Sequence, residues 1–289
     1  MMAFHPIDSS IATDFPSLNL GLSAAGAQDL YVCLTNGTIA LHDHDKETPV
    51  AQIPLKTDTQ VWPDGLEGLD LLTSNETLLC PDVSGMQSYT LHKSPHIIYI
   101  PNFVSPDETA HLIDVTKDSF YPSVVYREGV SEPDNDFRKS ENAWPLRDNT
   151  IKCVEQRALR FQTWQSNLKL EQLSLQRYFE GGFFTYHHDY FSSPPKRLNR
   201  YSTFNVFLHG NCTGGGTHFP RIPRPTDPMW CKYIDCESSE DGVIFKPIAG
   251  SAVFWINMRN NGSGFEETWH AGMPVTSGTK IGMNIWSWK

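Results

Sequence analysis

The feature that most constrains the fold is a change of hydrophobic period near residue 170. Residues 149–165 carry apolar side chains at helical spacing, whereas the later chain alternates with a period of two. Gly, Pro and Asn turns divide this part into predicted strands at 173–179, 183–190, 201–208, 243–248, 250–257 and 279–288. Helices followed by many strands are typical of helices packed on an antiparallel β-sandwich or barrel. The sequence therefore predicts an α+β, mainly β, fold.

A strand and a helix start are predicted ahead of this region. Residues 96–100 have the composition of a strand. Ser105-Pro106-Asp107-Glu108 predicts the start of a helix, because Ser suits the N-cap and Pro the first helical position. Glu three residues after the Ser completes a capping box.

The N-terminal third is less informative. Residues 29–41 form two β-prone runs around Asn36-Gly37, which predicts a hairpin. Residues 46–92 contain no motif. We therefore divide the chain into an N-terminal extension, residues 1–93, whose role the sequence does not disclose, and a main domain, residues 94–289.

Composition excludes several classes of protein. Charged residues make up 19% and hydrophobic residues 39% of the 289 residues, which excludes a disordered chain. The net charge is −10 and no Lys/Arg cluster occurs, so no nucleic-acid partner and no anionic membrane surface is expected. No apolar run approaches the roughly 18 residues of a membrane helix. The expected partner is a small molecule or a peptide, and the oligomeric state stays open.

The cysteines and the N-terminus bear on the compartment. The six cysteines lack C-x-x-C spacing, which disfavours a zinc site. The N-terminal residues have neither the basic region nor the apolar stretch of a secretory leader, so a cytoplasmic protein with free thiols is expected. A removed leader would instead indicate the endoplasmic reticulum lumen, and a disulfide involving Cys212, Cys231 or Cys236 would reverse the expectation. Without a leader, we expect the four N-x-S/T sequons, at Asn36, Asn75, Asn211 and Asn261, to be coincidental.

The chemistry-bearing stretch contains the one H-x-D in the chain, His187-His188-Asp189. In a strand, alternate residues share a face, so His187 and Asp189 are predicted to project together and His188 oppositely. An imidazole and a carboxylate on one face are two of the three ligands of the 2-His-1-carboxylate triad that holds Fe(II). The alternative is a hydrogen-bonded surface pair.

A distant histidine near a later strand would complete such a triad, and His270 is the candidate. Ten residues further on, Lys280 opens the last predicted strand. A lone basic group directed into a barrel needs an anion, because an unpaired buried charge is costly. A dicarboxylate co-substrate would supply one. The alternative is a surface lysine.

These motifs resemble those of the prolyl 4-hydroxylase branch of Fe(II)/2-oxoglutarate dioxygenases. The resemblance rests on the glycine- and aromatic-rich run before H-x-D, on Asn-Arg-Tyr-Ser-Thr, and on the stretches at 213–221 and 270–280. It covers about residues 94–289, and the stretches at 213–221, 245–250 and 284–288 are most similar to fungal prolyl-4-hydroxylase-like oxygenases. The resemblance implies a double-stranded β-helix, or jelly roll, with packed helices. It also implies Fe(II), 2-oxoglutarate and O₂, with ascorbate as reductant.

The resemblance implies a role for each matching residue. His187, Asp189 and His270 match the iron ligands, which leaves His188 and His218 pointing elsewhere. Lys280 matches the lysine that pairs with the distal carboxylate of 2-oxoglutarate. Thr217 and Tyr178 match positions that line the co-substrate pocket. Arg200 and Trp286 match positions that face the prime substrate. Core packing for the two aromatics and a surface ion pair for Arg200 are the alternatives.

Phe184 departs from the family pattern. Three residues before the iron histidine, the family usually has a tyrosine whose hydroxyl reaches 2-oxoglutarate. Phe184 lacks that hydroxyl, and losing one donor is expected to weaken co-substrate binding by about 1 kcal/mol. The remaining charge of Lys280 should keep the pocket functional.

Three hypotheses for the function remain. The preferred one is an oxygenase that hydroxylates an unactivated C–H of a small biosynthetic intermediate while 2-oxoglutarate is converted to succinate and CO₂. Desaturation, ring closure or epoxidation would use the same oxidising centre. The first alternative is a peptidyl-prolyl 4-hydroxylase, and the second is a non-catalytic jelly-roll binding module.

Overall fold

A computed structural model describes residues 78, 80–81, 85–127, 130–132, 134–191 and 199–289, and the backbone of four strands nearer the N-terminus. For residues 125–127 and 130–132 the backbone alone is described. The chain divides into two compact units, Met1–Gly68 and Leu69–Lys289. Within the described residues, no helix is both long enough and apolar enough to cross a membrane.

The first unit contains a four-stranded antiparallel sheet. Its strands are β1 (His5–Pro6), β2 (Leu30–Thr35), β3 (Thr38–Asp43) and β4 (Ala51–Pro54), hydrogen-bonded in chain order. Strand β2 pairs with β3, and Thr35 lies opposite Thr38. This pairing confirms the hairpin that the sequence predicts.

Within the described residues, the second unit contains two α-helices, two large antiparallel sheets and a two-stranded antiparallel sheet of β8 and β9. Its elements are β5 (Tyr89–Lys93), β6 (His96–Ile100), α1 (Pro106–Thr116), β7 (Tyr121–Pro122), β8 (Val125–Arg127), β9 (Val130–Glu132), β10 (Arg138–Lys139), β11 (Glu141–Ala143), α2 (Asn149–Phe161), β12 (Lys169–Leu170), β13 (Ser174–Tyr178), β14 (Phe183–His187), β15 (Arg200–Gly214), β16 (Thr217–Phe219), β17 (Val243–Phe245), β18 (Ala252–Ile256), β19 (His270–Gly272) and β20 (Val275–Trp288). The major sheet has the order β5-β6-β18-β15-β20-β13-β11-β7, with β12 also on β20. The minor sheet has the order β10-β14-β19-β16-β17.

The major sheet is buried on both faces, which accounts for its long apolar runs. One face packs against the helices, where Val206 and Phe254 contact a cluster that includes Leu112 of α1 and Val154 of α2. The other face packs against the minor sheet through a second cluster. Neighbouring residues of one strand, such as Phe254 and Trp255, belong to opposite clusters because side chains alternate along a strand.

The capping box of α1 is confirmed. The Glu108 amide donates to Ser105 Oγ at 3.1 Å, and the Ser105 amide donates to Glu108 Oε2 at 2.8 Å. Arg157 of α2 also donates to both carboxylate oxygens of Glu108, at 2.9 and 2.6 Å. The pair is buried and doubly hydrogen-bonded, so it joins the two helices in one orientation. Helix α2 ends at Phe161 rather than at residue 165, and the side chain of the buried Gln162 donates from Nε2 to Ser287 Oγ at 2.9 Å.

The described part of the second unit begins before the predicted domain boundary. The compact unit starts at Leu69, whereas the sequence places the boundary between residues 93 and 94. Strand β5 is the cause, because it pairs with β6 and so forms the edge of the major sheet. Residues 46–92 contain no motif, so the sequence did not indicate that β5 pairs with β6.

The expectation of free thiols is wrong for four cysteines. Cys80 is bonded to Cys153, and Cys231 to Cys236, while Cys212 is free. The first disulfide ties the segment before β5 to helix α2, and the second closes a short loop after β16. Spacing alone did not reveal either bond, because the partners of the first lie 73 residues apart.

We expect the double variant Cys80→Ser/Cys153→Ser to lower the free energy of unfolding by about 2–4 kcal/mol, since a cross-link that closes a long loop restricts the unfolded chain most. The Cys231–Cys236 bond joins residues 5 positions apart rather than 73, so the variant Cys231→Ser/Cys236→Ser should lose less free energy of unfolding. Urea unfolding of the two variants and the parent chain measures the difference. Equal losses would contradict the loop-length argument.

Candidate active site

Three side chains from the minor sheet and the segment directly after β14 converge on one point. His187 ends β14, His270 begins β19, and the two residues are paired across these strands. Asp189 lies two residues beyond the end of β14, which stops at His187 instead of continuing to residue 190 as predicted. One ligand atom from each residue lies within 4.8 Å of the others, and Asp189 and His270 are buried. The strand parity argument assumed a longer strand, yet the two side chains meet as expected.

Both imidazoles are oriented by main-chain carbonyls. His187 Nδ1 lies 2.8 Å from the carbonyl oxygen of Thr185, and His270 Nδ1 lies 2.8 Å from that of Thr268. A carbonyl can only accept, so each Nδ1 carries the proton and each Nε2 presents a lone pair. The Nε2 atoms lie 3.6 Å (His187) and 4.0 Å (His270) from the carboxylate oxygens of Asp189. Two imidazole nitrogens and one carboxylate oxygen therefore face one another.

A buried hydrogen-bond chain holds the carboxylate. Thr203 Oγ1 donates to Asp189 Oδ2 at 2.7 Å, and Asn257 Nδ2 donates to Thr203 Oγ1 at 2.9 Å. Trp255 Nε1 in turn donates to Asn257 Oδ1 at 2.7 Å. The chain crosses from β18 to β15 within the major sheet and fixes the direction of each donor. It supplies the outer-shell support that metal-binding carboxylates generally have.

The charge states also suit a divalent cation. Burial opposes ionisation of Asp189, but the charges of His270 and His187 outweigh it and hold the pKa of this carboxyl below its usual range. Burial lowers the pKa of His270 to about 4, and the neighbouring His187 contributes. At neutral pH the site therefore offers a carboxylate and an uncharged His270, the forms that bind metal ions.

We expect Thr203→Val to weaken binding of a divalent metal by about 10–100-fold, because loss of an outer-shell donor commonly costs that much. Thr203→Ser keeps the hydroxyl and is the matched control. Metal titration of the two variants, followed by calorimetry, measures the effect. Equal affinities for the Val and Ser variants would show that the hydroxyl does not support Asp189.

Lys280 is a buried cation without an acidic partner among the described residues. Its side chain is 4% exposed, and Nζ donates to the carbonyl of Gly215 at 2.7 Å. Burial lowers its pKa to about 8, against a smaller opposing effect from Cys212. The ammonium also lies 4.6 Å from the centroid of the Tyr178 ring, the residue paired with it across β13 and β20. The surface-lysine alternative is therefore excluded.

Gly272 connects this lysine to the triad. It follows His270 by two residues on β19, so the two positions share a face about 6.7 Å apart. A Cβ at Gly272 would lie 4.0 Å from Lys280 Nζ and 3.6 Å from the Cβ of Phe184. Because Gly272 has no side chain, the space between Lys280 Nζ and Phe184 is not filled from this strand. Thr217, which is paired with Gly272 across β16, donates its hydroxyl to Asn205 at 2.8 Å.

Phe184 is stacked on a triad histidine. Its ring lies 3.7 Å from the centroid of His187 with 20° between the planes. The guanidinium of Arg138 lies on the same phenyl ring, 4.5 Å from the centroid. Arg138 is paired with Phe184 across β10 and β14, so the pairing of these two strands places the guanidinium on the phenyl ring.

The two predicted substrate residues are joined to each other. The Arg200 guanidinium lies 3.7 Å from the centroid of Trp286, and Arg200 donates two hydrogen bonds to Glu171, at 2.6 and 3.0 Å. The ion-pair alternative for Arg200 is thus present in the structure, and the pair is largely buried rather than on the surface. The buried Nε1 of Trp286 has no hydrogen-bond partner within the described part of the chain.

The other two histidines point away from the triad. His188 Nε2 lies 3.3 Å from the carbonyl of Glu266. His218 is buried between the Tyr186 hydroxyl and the carbonyl of Asp241, at 2.6 Å from each. Neither belongs to the group of residues whose ligand atoms converge.

Comparison with known proteins identifies this arrangement. Residues 173–288 match the family model described as the 2OG-Fe(II) oxygenase superfamily. Prolyl 4-hydroxylase 13 of Arabidopsis thaliana is 26% identical over 209 residues, covering 71% of this chain and 75% of that protein. Prolyl 4-hydroxylase 5 of the same plant is 28% identical over 200 residues, covering 66% and 68%.

These residues belong to a prolyl 4-hydroxylase-like 2OG-Fe(II) oxygenase. A solved structure, the viral collagen prolyl hydroxylase of Paramecium bursaria Chlorella virus-1 in its 2OG complex, supports the fold with a TM-score of 0.50. It is 22% identical and covers 66% of this chain and 95% of that one. The oxygenase fold is the predicted double-stranded β-helix. The fungal branch stays a prediction.

The oxygenase requires Fe(II), 2-oxoglutarate and O₂, and its residues fit them. Two Nε2 lone pairs and a carboxylate are the donor set of a facial Fe(II) site, with coordination positions left for other ligands. His187, Asp189 and His270 would hold the metal. Lys280, whose Nζ lies next to Gly272 on the same strand face as His270, is placed to bind an anion near the metal site. When bound, the iron and 2-oxoglutarate supply the oxidising power, and the protein orients these groups and excludes water.

Several supporting residues were missed by the sequence analysis. Thr203, Asn257, Glu171 and Arg138 touch site residues from distant parts of the chain. Thr203 lies within the Asn-Arg-Tyr-Ser-Thr motif, so that motif was a usable signal. The other three carry no local pattern that marks them.

We expect Phe184→Tyr to lower the 2-oxoglutarate concentration for half-saturation by about fivefold, the equivalent of one hydrogen bond of about 1 kcal/mol. The ring can keep its stack on His187, so iron binding should be unchanged. Titration of succinate formation against 2-oxoglutarate, with Phe184→Leu for comparison, measures the effect. A higher half-saturation in the Tyr variant would show that its hydroxyl does not reach the co-substrate.

Proposed function

We propose that this oxygenase is a peptidyl-prolyl 4-hydroxylase that acts on a Pro-containing peptide or protein. The observation that carries the proposal is the set of curated relatives, which are named prolyl 4-hydroxylases and match over most of their own lengths. They favour a peptide over the small biosynthetic intermediate that the sequence analysis preferred.

The stacked pair of Arg200 and Trp286 supports a proline substrate. A pyrrolidine ring is apolar and rigid, and aromatic-lined surfaces bind such rings in proline-rich segments. Glu171 holds the guanidinium against the indole, so the pair presents a pre-ordered aromatic and cationic surface.

The role of the protein in this reaction is to position the groups. His187, Asp189 and His270 would hold the metal, and the hydrogen-bond chain from Trp255 to Asp189 keeps the carboxylate in one orientation. Lys280 would bind the far carboxylate of 2-oxoglutarate. The prolyl residue would be positioned with its C4–H bond toward this site. Bound iron, 2-oxoglutarate and O₂ would supply the oxidising chemistry, with one oxygen atom of O₂ entering the hydroxyl of the product and the other entering succinate as CO₂ is released.

The test measures succinate release with Fe(II), ascorbate and 2-oxoglutarate in the presence of a polyproline peptide, a Pro-Pro-Gly repeat peptide, or a small-metabolite extract. We expect stimulation by a proline peptide and 4-hydroxyproline in the recovered product. The same peptide with Ala in place of Pro is the matched control. Stimulation by the metabolite extract alone would overturn the peptide assignment, and failure to bind both iron and 2-oxoglutarate would favour the non-catalytic module.

A further inference from the structure

We propose that Asn261 is an N-glycosylation site and that the chain matures in an oxidising compartment that attaches N-linked glycans. The proposal concerns the chain's processing and does not depend on the substrate of the oxygenase. It rests on two independent observations, the paired cysteines and the geometry of the Asn261-Gly262-Ser263 sequon.

The disulfides determine the kind of compartment. Four cysteines are paired, in two bonds that join residues 73 and 5 positions apart. Protein disulfides form and persist in oxidising compartments and are rare where thioredoxin and glutathione keep thiols reduced. The sequence analysis expected a cytoplasmic protein unless Cys212, Cys231 or Cys236 formed a disulfide, and the Cys231–Cys236 bond meets that condition. In such a compartment, an N-x-S/T sequence is a potential acceptor rather than a coincidence.

The sequon at Asn261 has the geometry of an acceptor. Asn261 is exposed, and it lies in a tight loop closed by hydrogen bonds from Arg259 N to Ser263 O and from Gly262 N to Arg259 O. The Ser263 hydroxyl donates to Asn261 Oδ1 at 2.8 Å, and the Ser263 amide donates to the same oxygen at 3.0 Å. Both donors engage the carbonyl oxygen, so the Nδ2 group remains free to react.

Asn211 is a poorer candidate for the same modification. It lies inside β15, where it is paired with Thr279 of β20. The hydroxyl of its Thr213 is engaged with Thr276 and Ser277, at 2.6 and 2.8 Å. Its side chain therefore has no comparable contact with the hydroxyl of the sequon. The remaining sequons, at Asn36 and Asn75, lie outside the described residues.

The glycan donor required for this modification is a lipid-linked oligosaccharide diphosphate. The Nδ2 of Asn261 forms a bond to the anomeric carbon of the first sugar. The bond from that carbon to the diphosphate oxygen breaks, and the lipid diphosphate leaves with the electron pair. One amide proton of Asn261 is lost to a base of the transferring enzyme.

The first experiment uses the full chain isolated from its natural host cells. Treatment with peptide-N-glycosidase in ¹⁸O-water should convert residue 261 from Asn to Asp with incorporation of the heavy isotope. Peptide mapping without reduction should recover Cys80 linked to Cys153 and Cys231 linked to Cys236. An unmodified Asn261 in the natural protein would overturn the proposal, whatever the state of the cysteines.

The second experiment uses variants of the full chain secreted from a eukaryotic host. Asn261→Gln and Ser263→Ala should each remove the same glycan, seen as one step of electrophoretic mobility. Ser263→Thr preserves the sequon and should keep the glycan. Asn260→Gln, at the adjacent exposed asparagine outside the sequon, is the matched control and should keep it as well. Mobility equal to that of the parent in both Asn261→Gln and Ser263→Ala would contradict the assignment.

Discussion

Replacing His270 by Ala is expected to abolish iron binding and succinate formation together. The histidine is buried, its Nδ1 is committed to the carbonyl of Thr268, and its Nε2 faces Asp189. Among the described residues, the converging group contains only His187 and Asp189 besides it. Loss of an outer-shell partner already costs about 10–100-fold in metal affinity, and loss of a ligand should cost more. Iron titration and succinate release from the same preparation measure the two effects.

His188→Ala is the matched control for this prediction. His188 neighbours two of the triad residues in sequence but contacts the carbonyl of Glu266 instead. The variant should keep its iron affinity, while His187→Ala should lose it. If His188→Ala lost iron and His187→Ala retained it, the assignment of the two histidines would be reversed.

Replacing Lys280 by Ala is expected to raise the 2-oxoglutarate concentration for half-saturation by roughly one to two orders of magnitude. A charge-assisted contact contributes about 1.5–3 kcal/mol, and 1.4 kcal/mol corresponds to a factor of ten. Iron affinity should change little, since Lys280 is not in the converging group. Lys280→Arg should restore part of the affinity, because a planar guanidinium replaces a compact charge. An unchanged half-saturation in Lys280→Ala would refute this role.

The parent chain should also bind 2-oxoglutarate less tightly as the pH rises through about 8, the pKa to which burial lowers Lys280. Below that pH the ammonium is charged and meets the carboxylate directly. Above it, binding must first take up a proton, which costs up to about tenfold in affinity per pH unit. Calorimetric titration at pH 7, 8 and 9 measures the trend, and Lys280→Arg, which stays charged, should lack it.

The same shift affects the stability of the free protein in the opposite direction. The pKa of Lys280 is lower in the folded chain than the ordinary lysine value, so the unfolded chain binds more protons above pH 8. The free energy of unfolding should therefore rise with pH between about 8 and the ordinary lysine pKa near 10.4. This reflects the cost of burying a charge that the co-substrate is expected to neutralise.

The sequence determined the local features of this protein. Its hydrophobic periods located helix α2 and the strands β13, β14, β15, β17, β18 and β20, though not β16 or β19, and the Ser105–Glu108 pattern located the start of α1. The single H-x-D, with His270 and Lys280 downstream, indicated which residues would form the site. Such features depend on neighbours in the chain, or on motifs whose chemistry requires particular residue types.

Only the tertiary structure decided which distant residues support that site. Thr203 and Asn257 reach Asp189 because β18 and β15 pair in one register, and Arg138 reaches Phe184 because β10 lies beside β14. Cys80 reaches Cys153 across the residues between them. Strand pairing and cross-links join positions far apart in the chain, and their register arises from packing the whole core. A local sequence pattern carries no record of that register, so these partners became visible only in the folded chain.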